Sequence, residues 1–232
     1  MILGQHINVD GQHGFVELVD AMQIHPVTKT TRSARVSYAK DLGYSSPQRD
    51  AKLMRSLARD HHWSPFRHSP ITLHVSAPEF IARQWYKHVV GAAYSFVDTG
   101  WNEVSQRYTE VHDVYVPPAF HVQSKVNHQG AAETHAQSDD LRKIYEYNVA
   151  NALKAYDLLI SNGVAREEAR MVLPLSIYTR FYWTATQQAL WNFVSLRKAS
   201  GAQGAIQVYA TAVEVICRGH YGDAWTALEE QQ

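Results

Sequence analysis

Two short stretches of the chain have the residue pattern of β-strands. They are Gly14-Phe-Val-Glu-Leu-Val-Asp20 and Ile71-Thr-Leu-His-Val75, and in the second the apolar residues at 71, 73 and 75 face one side. Alternation of this kind is typical of a strand with one buried face. We expect both stretches to lie in one sheet.

Helical patterns account for much of the remaining chain. Ser46-Pro47 predicts a helix start, and Pro65 ends the segment that follows. The longest pattern begins at Ser138-Asp-Asp140 and stops at Asn162-Gly163, and its apolar stripe predicts a face turned to the core. Residues 119–134, rich in Gln, His, Asn and Gly, predict an exposed loop. The stripe consists of Leu141, Ile144, Tyr145, Val149, Ala152, Leu153, Tyr156 and Ile160.

No repeat or proline-rich linker divides the 232 residues, so we expect one mixed α/β domain over 1–232. The 22 basic and 22 acidic residues give zero net charge, which disfavours a nucleic-acid-binding protein that uses aromatic stacking. No apolar run approaches the roughly 18 residues of a membrane helix, and no signal peptide is recognisable. We expect a soluble cytoplasmic protein with no membrane partner.

Several common catalytic devices are missing from the sequence. There is no Gly-x-Ser-x-Gly elbow, no phosphate-binding Gly-rich loop and no His-Glu-x-x-His pair. The single cysteine, Cys217, continues the apolar face of a predicted helix and is not expected to be a nucleophile. His61, His62 and His68 lack the additional ligands of a metal site, so we predict none.

Charged and polar side chains are concentrated in two neighbouring segments, Phe80–His88 and Gly100–Tyr108. Their cations and planar amide suit a phosphate and a base edge, and their hydroxyls and aromatic rings suit a nucleotide. The same set is also compatible with a hydrogen-bonded face between helices. The residues are Arg83, Gln84, Lys87, His88, Asn102, Glu103, Ser105, Arg107 and Tyr108.

The segment Asn102-Glu-Val-Ser-Gln-Arg-Tyr108 resembles the core of the signature of flavin-dependent thymidylate synthases, written Arg-His-Arg, seven residues, Ser. Seven further blocks resemble the family in the family's order, so the resemblance spans about residues 14 to 215. The blocks are Gly14-Phe-Val-Glu-Leu-Val-Asp20, Ala34-Arg-Val-Ser37, His62-Trp-Ser-Pro-Phe-Arg-His68, Ala82-Arg-Gln-Trp85, Glu168-Ala-Arg-Met-Val-Leu-Pro174, Tyr178-Thr-Arg-Phe-Tyr-Trp183 and Asn192-Phe-Val-Ser-Leu-Arg197.

The resemblance implies a homotetramer of α/β subunits with the thymidylate synthase-complementing-protein-like fold, a central sheet with flanking helices. It implies FAD between subunits and a uridine nucleotide over the flavin. The methylene of 5,10-methylenetetrahydrofolate passes to uracil C5, and NADPH supplies the reducing equivalents. Classical uracil C5 chemistry starts with a cysteine, and this chain has none plausibly placed.

The resemblance also assigns nucleotide contacts. Arg107 and Arg170 are candidates for the phosphate, where a guanidinium can meet two oxygens. Arg197 is the candidate for the uracil carbonyl, where it stabilises developing negative charge. Ser105 orients the nucleotide rather than attacking it, because no base is paired with it. The full set of substrate positions is Gln84, Lys87, Glu103, Ser105, Arg107, Arg170 and Arg197.

On the cofactor side, His62 and Tyr108 resemble residues near the face where folate and flavin stack. Together with Ser105 and Arg197 they form the implied catalytic set. The positions that match flavin contacts are Ser37, Ser64, Lys87, His88, Glu103, Gln188, Asn192 and Leu196.

The chain departs from the family pattern around the flavin. Arg-His-Arg is replaced by Lys87-His88-Val89, and fifteen residues rather than seven precede Ser105, which places an eight-residue insertion around 91–100. Arg67 replaces an acid, and Thr186-Gln187-Gln188 replaces Asn-x-Arg. Each lost charge-assisted bond is worth about 1.5 to 3 kcal/mol when buried, so we expect FAD to be held weakly unless Arg67 and the insertion compensate.

Three functions follow from these residues. The first is conversion of dUMP to dTMP. The second is the same C5 methylation of UMP in a modified-nucleoside pathway, which the rearranged motif would suit. The third is a nucleotide-binding module that has lost turnover, favoured by Val89 and Gln188 but opposed by Ser105, Arg107 and Arg197.

Overall fold

A five-stranded antiparallel sheet forms the centre of the molecule. The computed structural model describes residues 3–37, 45–90, 100–105, 107–110, 112–126 and 130–231. The two predicted strands pair directly, with Leu18 opposite Leu73, which confirms that they share one sheet. The strand order is β1-β2-β3-β7-β4. The strands are β1 (His6–Asn8), β2 (Phe15–Ala21), β3 (Ile71–Pro78), β4 (Trp101–Glu103) and β7 (Tyr178–Ala185).

Helices cover one face of this sheet because alternate strand residues are apolar. Trp85 stacks on Phe193 at 4.2 Å and meets Phe181 edge-on at 5.5 Å between ring centroids, which joins α3, α6 and β7 in one core. None of the helices formed by the described residues is long and apolar enough to cross a membrane. The helices of this core are α1 (Pro26–Val36), α2 (Pro47–Arg59), α3 (Glu79–Trp85), α6 (Gln187–Lys198), α7 (Gly204–Tyr221) and α8 (Asp223–Glu229).

Capping residues mark the starts of two of these helices, and the start of α2 was predicted. Ser46 caps α2, its hydroxyl accepting a hydrogen bond from the backbone N–H of Arg49, and Pro47 follows at the first position. Thr186 caps α6 in the same way through the N–H of Ala189. Cys217 is fully buried in α7, as its place on the apolar face predicts, and this burial raises the pKa of its thiol.

Helix α4 (Ser138–Ser161) has the predicted ends but only part of the predicted burial. Seven of the eight residues of the stripe are buried or half-buried, so the stripe faces the protein as predicted, but only Tyr156 is fully buried and the side chain of Ile144 is 59% exposed. An amphipathic pattern identifies an apolar face but not the element that covers it. Within the described chain α4 packs mainly on the short α5 (Arg166–Ala169) and the 3₁₀ turn Arg170–Val172.

Residues 119–134 contain more structure than the predicted loop. β5 (His121–Gln123) and β6 (Ala131–Thr134) form an antiparallel pair of their own, so the expectation of an irregular segment is wrong. The prediction of exposure is confirmed for β6, all of whose residues are exposed. Strands of three and four residues without a buried face leave no alternation to recognise.

Asp10 fastens the β1–β2 hairpin to the C-terminal half. Its Oδ1 accepts hydrogen bonds from the N–H groups of Gln12 and Gly14, both at 2.9 Å. Its Oδ2 accepts from the hydroxyls of Tyr178 at 2.5 Å and Tyr209 at 3.0 Å. Burial raises the pKa of Asp10, but these bonds outweigh it and hold that pKa below its ordinary value. A Cβ at Gly14 would lie 2.2 Å from the Tyr209 hydroxyl, so no larger residue fits.

Candidate functional site

Three adjoining grooves follow the line of α3 and the turn after it. The β4 groove, about 350 Å³, lies between α3 and β4. The Arg170 groove, about 320 Å³, lies between α3 and residues 170–177 and shares Glu79 and Arg83 with the first. The α6 groove, about 250 Å³, lies between residues 87–90 and α6 and shares Lys87 with the first. We call the three together the trough.

At the α6 end of the trough, Arg197 is bound to two other predicted residues. Arg197 donates from Nε to Nε2 of His88 at 3.0 Å and from Nη2 to the backbone oxygen of Gln84 at 3.2 Å. Burial, with a smaller effect of the Arg197 charge, lowers the pKa of His88 to about 4. The imidazole is therefore neutral near pH 7, and its Nε2 accepts a hydrogen bond from the guanidinium group.

Glu103 is held at the side of the β4 groove. Trp101 donates from Nε1 to Oε2 at 3.0 Å, and the Thr179 hydroxyl donates to Oε1 at 2.7 Å. Trp101 itself stacks on Phe181 at 3.8 Å, which fixes the short strand β4 against β7. Both carboxylate oxygens are thus already engaged, and only their second lone pairs face a ligand.

The segment after β4 carries the next predicted residues, and it stands apart from the trough. Arg107 donates from Nε to the hydroxyl of Ser105 at 3.1 Å, and its guanidinium lies 5.3 Å from the centroid of the Tyr108 ring. Tyr108 is 76% exposed. No hydrogen bond or ion pair between described residues joins Arg107 to Arg170 or Arg197.

Arg170 lies at the far end of the trough. It begins the 3₁₀ turn before β7, and its exposed guanidinium lines the Arg170 groove with Glu79 and Arg83. The trough therefore has Arg197 at one end and Arg170 at the other, as a nucleotide with a base and a phosphate would require. Glu79 was not among the predicted residues, although an acid one turn before Arg83 is visible in the sequence.

Four of the predicted flavin residues share the α6 groove. Lys87, His88, Asn192 and Leu196 line it together with Arg197. Ser37 ends α1, and Ser64 begins a 3₁₀ helix, Ser64–Arg67, next to the exposed His62. Neither serine lines the groove, and Gln188 is buried in the first turn of α6. The insertion at 91–99 lies outside the described residues.

Two departures from the family pattern touch each other. Arg67 donates from Nε to the side-chain oxygen of Gln188 at 2.6 Å. Gln188 is only 5% exposed, so the amide anchors the Arg67 guanidinium beside the start of α6. A cation is thus present beside position 188 although position 188 itself is neutral.

The α6 groove suits a planar ring with polar edges. Its walls combine the exposed aliphatic residues Val89, Val90 and Leu196 with the Asn192 amide and the Lys87 cation. Gln84 does not line the groove, and its Oε1 is buried and receives no hydrogen bond from a described residue. The described ranges contain no cluster of three His, Cys, Asp or Glu that would hold a metal ion.

Known proteins resemble this chain over most of its length. Residues 17–220 match the family described as thymidylate synthase complementing protein. A flavin-dependent thymidylate synthase from Thermosipho africanus is 40% identical over 201 residues, 85% of this chain and 82% of that one. One from a strain of Thermus thermophilus is 40% identical over 221 residues, 94% of this chain and 76% of that one.

Among solved structures, the UMP/dUMP methylase PolB from Streptomyces cacaoi, bound with 5-Br dUMP, superposes with a TM-score of 0.81 at 29% identity. That match covers 94% of this chain and 96% of PolB. The same protein bound with 5-Br UMP gives a TM-score of 0.78. The chain therefore belongs to the thymidylate synthase complementing protein family, as its motifs predict.

Proposed function

We propose that this protein is a cytoplasmic, homotetrameric enzyme that methylates C5 of a uridine nucleotide. FAD is its cofactor, 5,10-methylenetetrahydrofolate the carbon donor and NADPH the source of reducing equivalents. The observation that carries the proposal is the Arg197–His88–Gln84 cluster opening on the trough. The names of these relatives, both flavin-dependent thymidylate synthases, support the same chemistry.

Arg197 acts at the base. Attack from C5 requires negative charge to build up on the uracil ring and its carbonyl oxygen, and a fixed guanidinium stabilises that charge. Neutral His88 can hold Arg197 without competing for the oxyanion, because it accepts from Nε and brings no second positive charge. The pairing fixes the orientation of Arg197 before substrate binds.

Arg170 and Arg107 act at the phosphate, and Gln84, Lys87 and Ser105 orient the nucleotide. Arg107 and Ser105 bind each other rather than the trough of their own chain. A homotetramer accounts for this, because the exposed Arg107 and Tyr108 of one subunit then meet the trough of another. The open apolar face of α4 supports burial between copies.

The flavin replaces a missing nucleophile. The Cys217 thiol is fully buried and its pKa is raised, so it cannot add to the pyrimidine. FAD, when bound, supplies the redox chemistry that completes the methyl group. Lys87, His88, Asn192 and Leu196 would hold it in the α6 groove, with Glu103, Ser37, Ser64 and Gln188 from neighbouring elements and His62 and Tyr108 toward the folate.

The test is to supply FAD, NADPH and 5,10-methylenetetrahydrofolate with either UMP or dUMP and to analyse the nucleotide by mass spectrometry. We expect a product heavier by one methyl group at C5. PolB binds bromo analogues of both nucleotides, and this favours methylation of UMP as a second substrate. A nucleotide that stays unmethylated while the protein binds it and NADPH bleaches the flavin would instead identify a binding module without turnover.

A further inference from the structure

Helix α4 carries a second, mostly apolar stripe on the side that faces away from the subunit. Five residues at intervals of three or four positions form it, and this spacing places them on one face of a helix. All five are exposed, so none of the residues that the structure describes covers them. We call them the outer stripe: Ile144, Tyr147, Asn151, Ala155 and Leu158.

The outer stripe has the spacing of a seam between two paired helices. Apolar residues three and four positions apart are typical of such seams, and one polar residue among them fixes which residues meet. Ile144, Tyr147 and Leu158 are each more than half exposed, and contact with a partner helix would remove their apolar surface from water.

The order of side chains along the outer stripe favours a second copy of α4 that runs in the opposite direction. Asn151 stands at the centre, with Ile144 and Leu158 seven positions away on either side and Tyr147 and Ala155 four positions away. In an antiparallel pair with a two-fold axis at Asn151, each Tyr147 lies opposite the partner's Ala155, a large side chain against a small one. Each Ile144 lies opposite the partner's Leu158.

Polar residues at the ends of the outer stripe match in the same arrangement. The next position on this face before Ile144 is Asp140, and the next after Leu158 is Asn162, each eleven positions from Asn151. The same pairing places each Asp140 opposite the partner's Asn162, a carboxylate acceptor opposite an amide donor. The amide of Asn162 uses one N–H for the backbone oxygen of Leu158 at 2.7 Å and has a second to donate.

The charges beside the outer stripe are balanced across the same axis. Four charged residues lie on one flank, within about 80° around the helix axis. Antiparallel pairing joins this flank to the same flank of the partner, so each end of the pair gathers two lysines and two acids. In the single subunit Lys143 pairs with Asp140 at 2.8 Å and Asp157 with His112 at 3.0 Å, and these exposed contacts contribute little. The four residues of the flank are Lys143, Glu146, Lys154 and Asp157.

We propose that α4 pairs with α4 of a second copy, antiparallel and across a two-fold axis at Asn151. This inference rests on the proposed function only for the homotetramer, whose copies the pair joins. A tetramer built on two-fold axes has more than one kind of interface, and the contact of Arg107 with the trough of another copy belongs to a different one. Loss of the α4 pair should therefore leave dimers.

The first test fills the space opposite Tyr147. Ala155 is exposed, so Ala155→Arg keeps the fold of the subunit but sets a long cation where the partner's Tyr147 packs. We expect sedimentation equilibrium of the FAD-loaded protein to show half the mass of the unaltered assembly, with an unchanged far-UV circular dichroism spectrum. Gln48→Arg, on the exposed first turn of α2, is the matched control and should leave the mass unchanged. An unchanged mass for Ala155→Arg would overturn the proposal.

The second test exchanges charges across the proposed axis. The side chains of Glu146 and Lys154 form no hydrogen bond or ion pair between described residues, and about 12 Å of helix separates them within one chain. Glu146→Lys and Lys154→Glu should each raise the dissociation constant of the α4 pair by about tenfold, because each sets like charges together twice in the symmetric pair. The variant with both changes should regain most of the affinity.

The outcomes separate this inference from the proposed function. A double variant no tighter than the single ones would overturn the antiparallel pairing, while the methylation assay would still decide the reaction. If the unaltered protein sediments as a monomer, the proposed homotetramer fails and the α4 pair fails with it.

Discussion

The two halves of the candidate site differ in how the chain holds them. At the trough, Arg197 of α6 donates to His88, in the turn after α3, and to the backbone oxygen of Gln84 on α3. After β4, Arg107 and Tyr108 are exposed, and Arg107 contacts only its neighbours in sequence among the described residues. Contacts between different elements hold the first half, whereas contacts within its own segment hold Arg107 among the described residues.

This difference separates two kinds of contribution to catalysis. A preorganised guanidinium lowers the barrier because its orientation costs nothing during the reaction. An exposed guanidinium contributes to affinity but pays for its own ordering. Substitutions in the trough should therefore affect turnover, and substitutions after β4 should affect binding.

The largest effect is expected at Arg197. Arg197→Lys keeps the charge but loses the paired bonds to His88 and Gln84, so the rate of tritium release from C5-labelled nucleotide should fall by about 10² to 10³. Arg59→Lys, on the exposed end of α2, is the control and should leave the rate unchanged. A fall of less than threefold for Arg197→Lys would show that the trough is not the preorganised half.

Arg107→Ala should have the next largest effect, and on a different quantity. Loss of a charge-assisted phosphate contact should raise the Kd of the nucleotide by about 10- to 50-fold. The melting temperature of the subunit should change little, because the guanidinium packs only on Ser105 and Tyr108 among the described residues. If Arg107→Ala left the Kd of the nucleotide unchanged and strongly lowered the melting temperature, Arg107 would stabilise the subunit and not contribute to binding.

Arg67 allows a test of FAD binding on the cofactor side of the site. If its guanidinium replaces the cation missing at 188, Arg67→Gln should raise the Kd of FAD by about tenfold in a fluorescence titration. Adding Gln188→Arg to that variant should restore most of the affinity by returning a cation to the start of α6. FAD binding that is indifferent to both changes would place the cofactor elsewhere.

The smallest effect concerns the pH dependence of stability. The pKa of His88 is about 4 in the folded protein and near 6.5 in the unfolded chain. Between these values the unfolded chain binds a proton that the folded protein refuses, so stability falls as the pH drops from about 6.5 toward 4. Because His88 is partly exposed, we expect about 1 kcal/mol, or roughly 2 to 4 °C.

In His88→Gln this contribution is absent. Its melting temperature should therefore decline less than that of the unaltered protein over the same pH range. Thermal unfolding followed by circular dichroism at several pH values measures the difference. Parallel curves for the two proteins would mean that His88 titrates normally in the fold.

The sequence predicted those features of the fold that depend on residues close together in the chain. The Ser46 cap and the pairing of β2 with β3 were predictable, and so were the ends of α4. The exposure of α4 was not, because an apolar stripe is the same whether the chain itself or another copy covers it. Likewise, no local pattern shows that β4, three residues long, pairs with β7.

The same limit applies to the candidate site, where residues could be predicted but their contacts could not. Residues on α3 and α6 could be named from motifs, but the bond between Arg197 and His88 depends on how the sheet places those helices. The contact of Arg67 with Gln188 joins positions 121 residues apart and was equally hidden.

The carboxylate of Asp10 has a consequence for the order of assembly during synthesis. Its partners Tyr178 and Tyr209 follow it by 168 and 199 residues. The β1–β2 hairpin therefore lacks these two hydrogen bonds until nearly all of the chain has left the ribosome. Contacts between residues so far apart in sequence form late and slowly. A nascent chain halted before α7 would already contain all five strands of the sheet, but the residues of β2 that α7 covers would stay exposed to solvent.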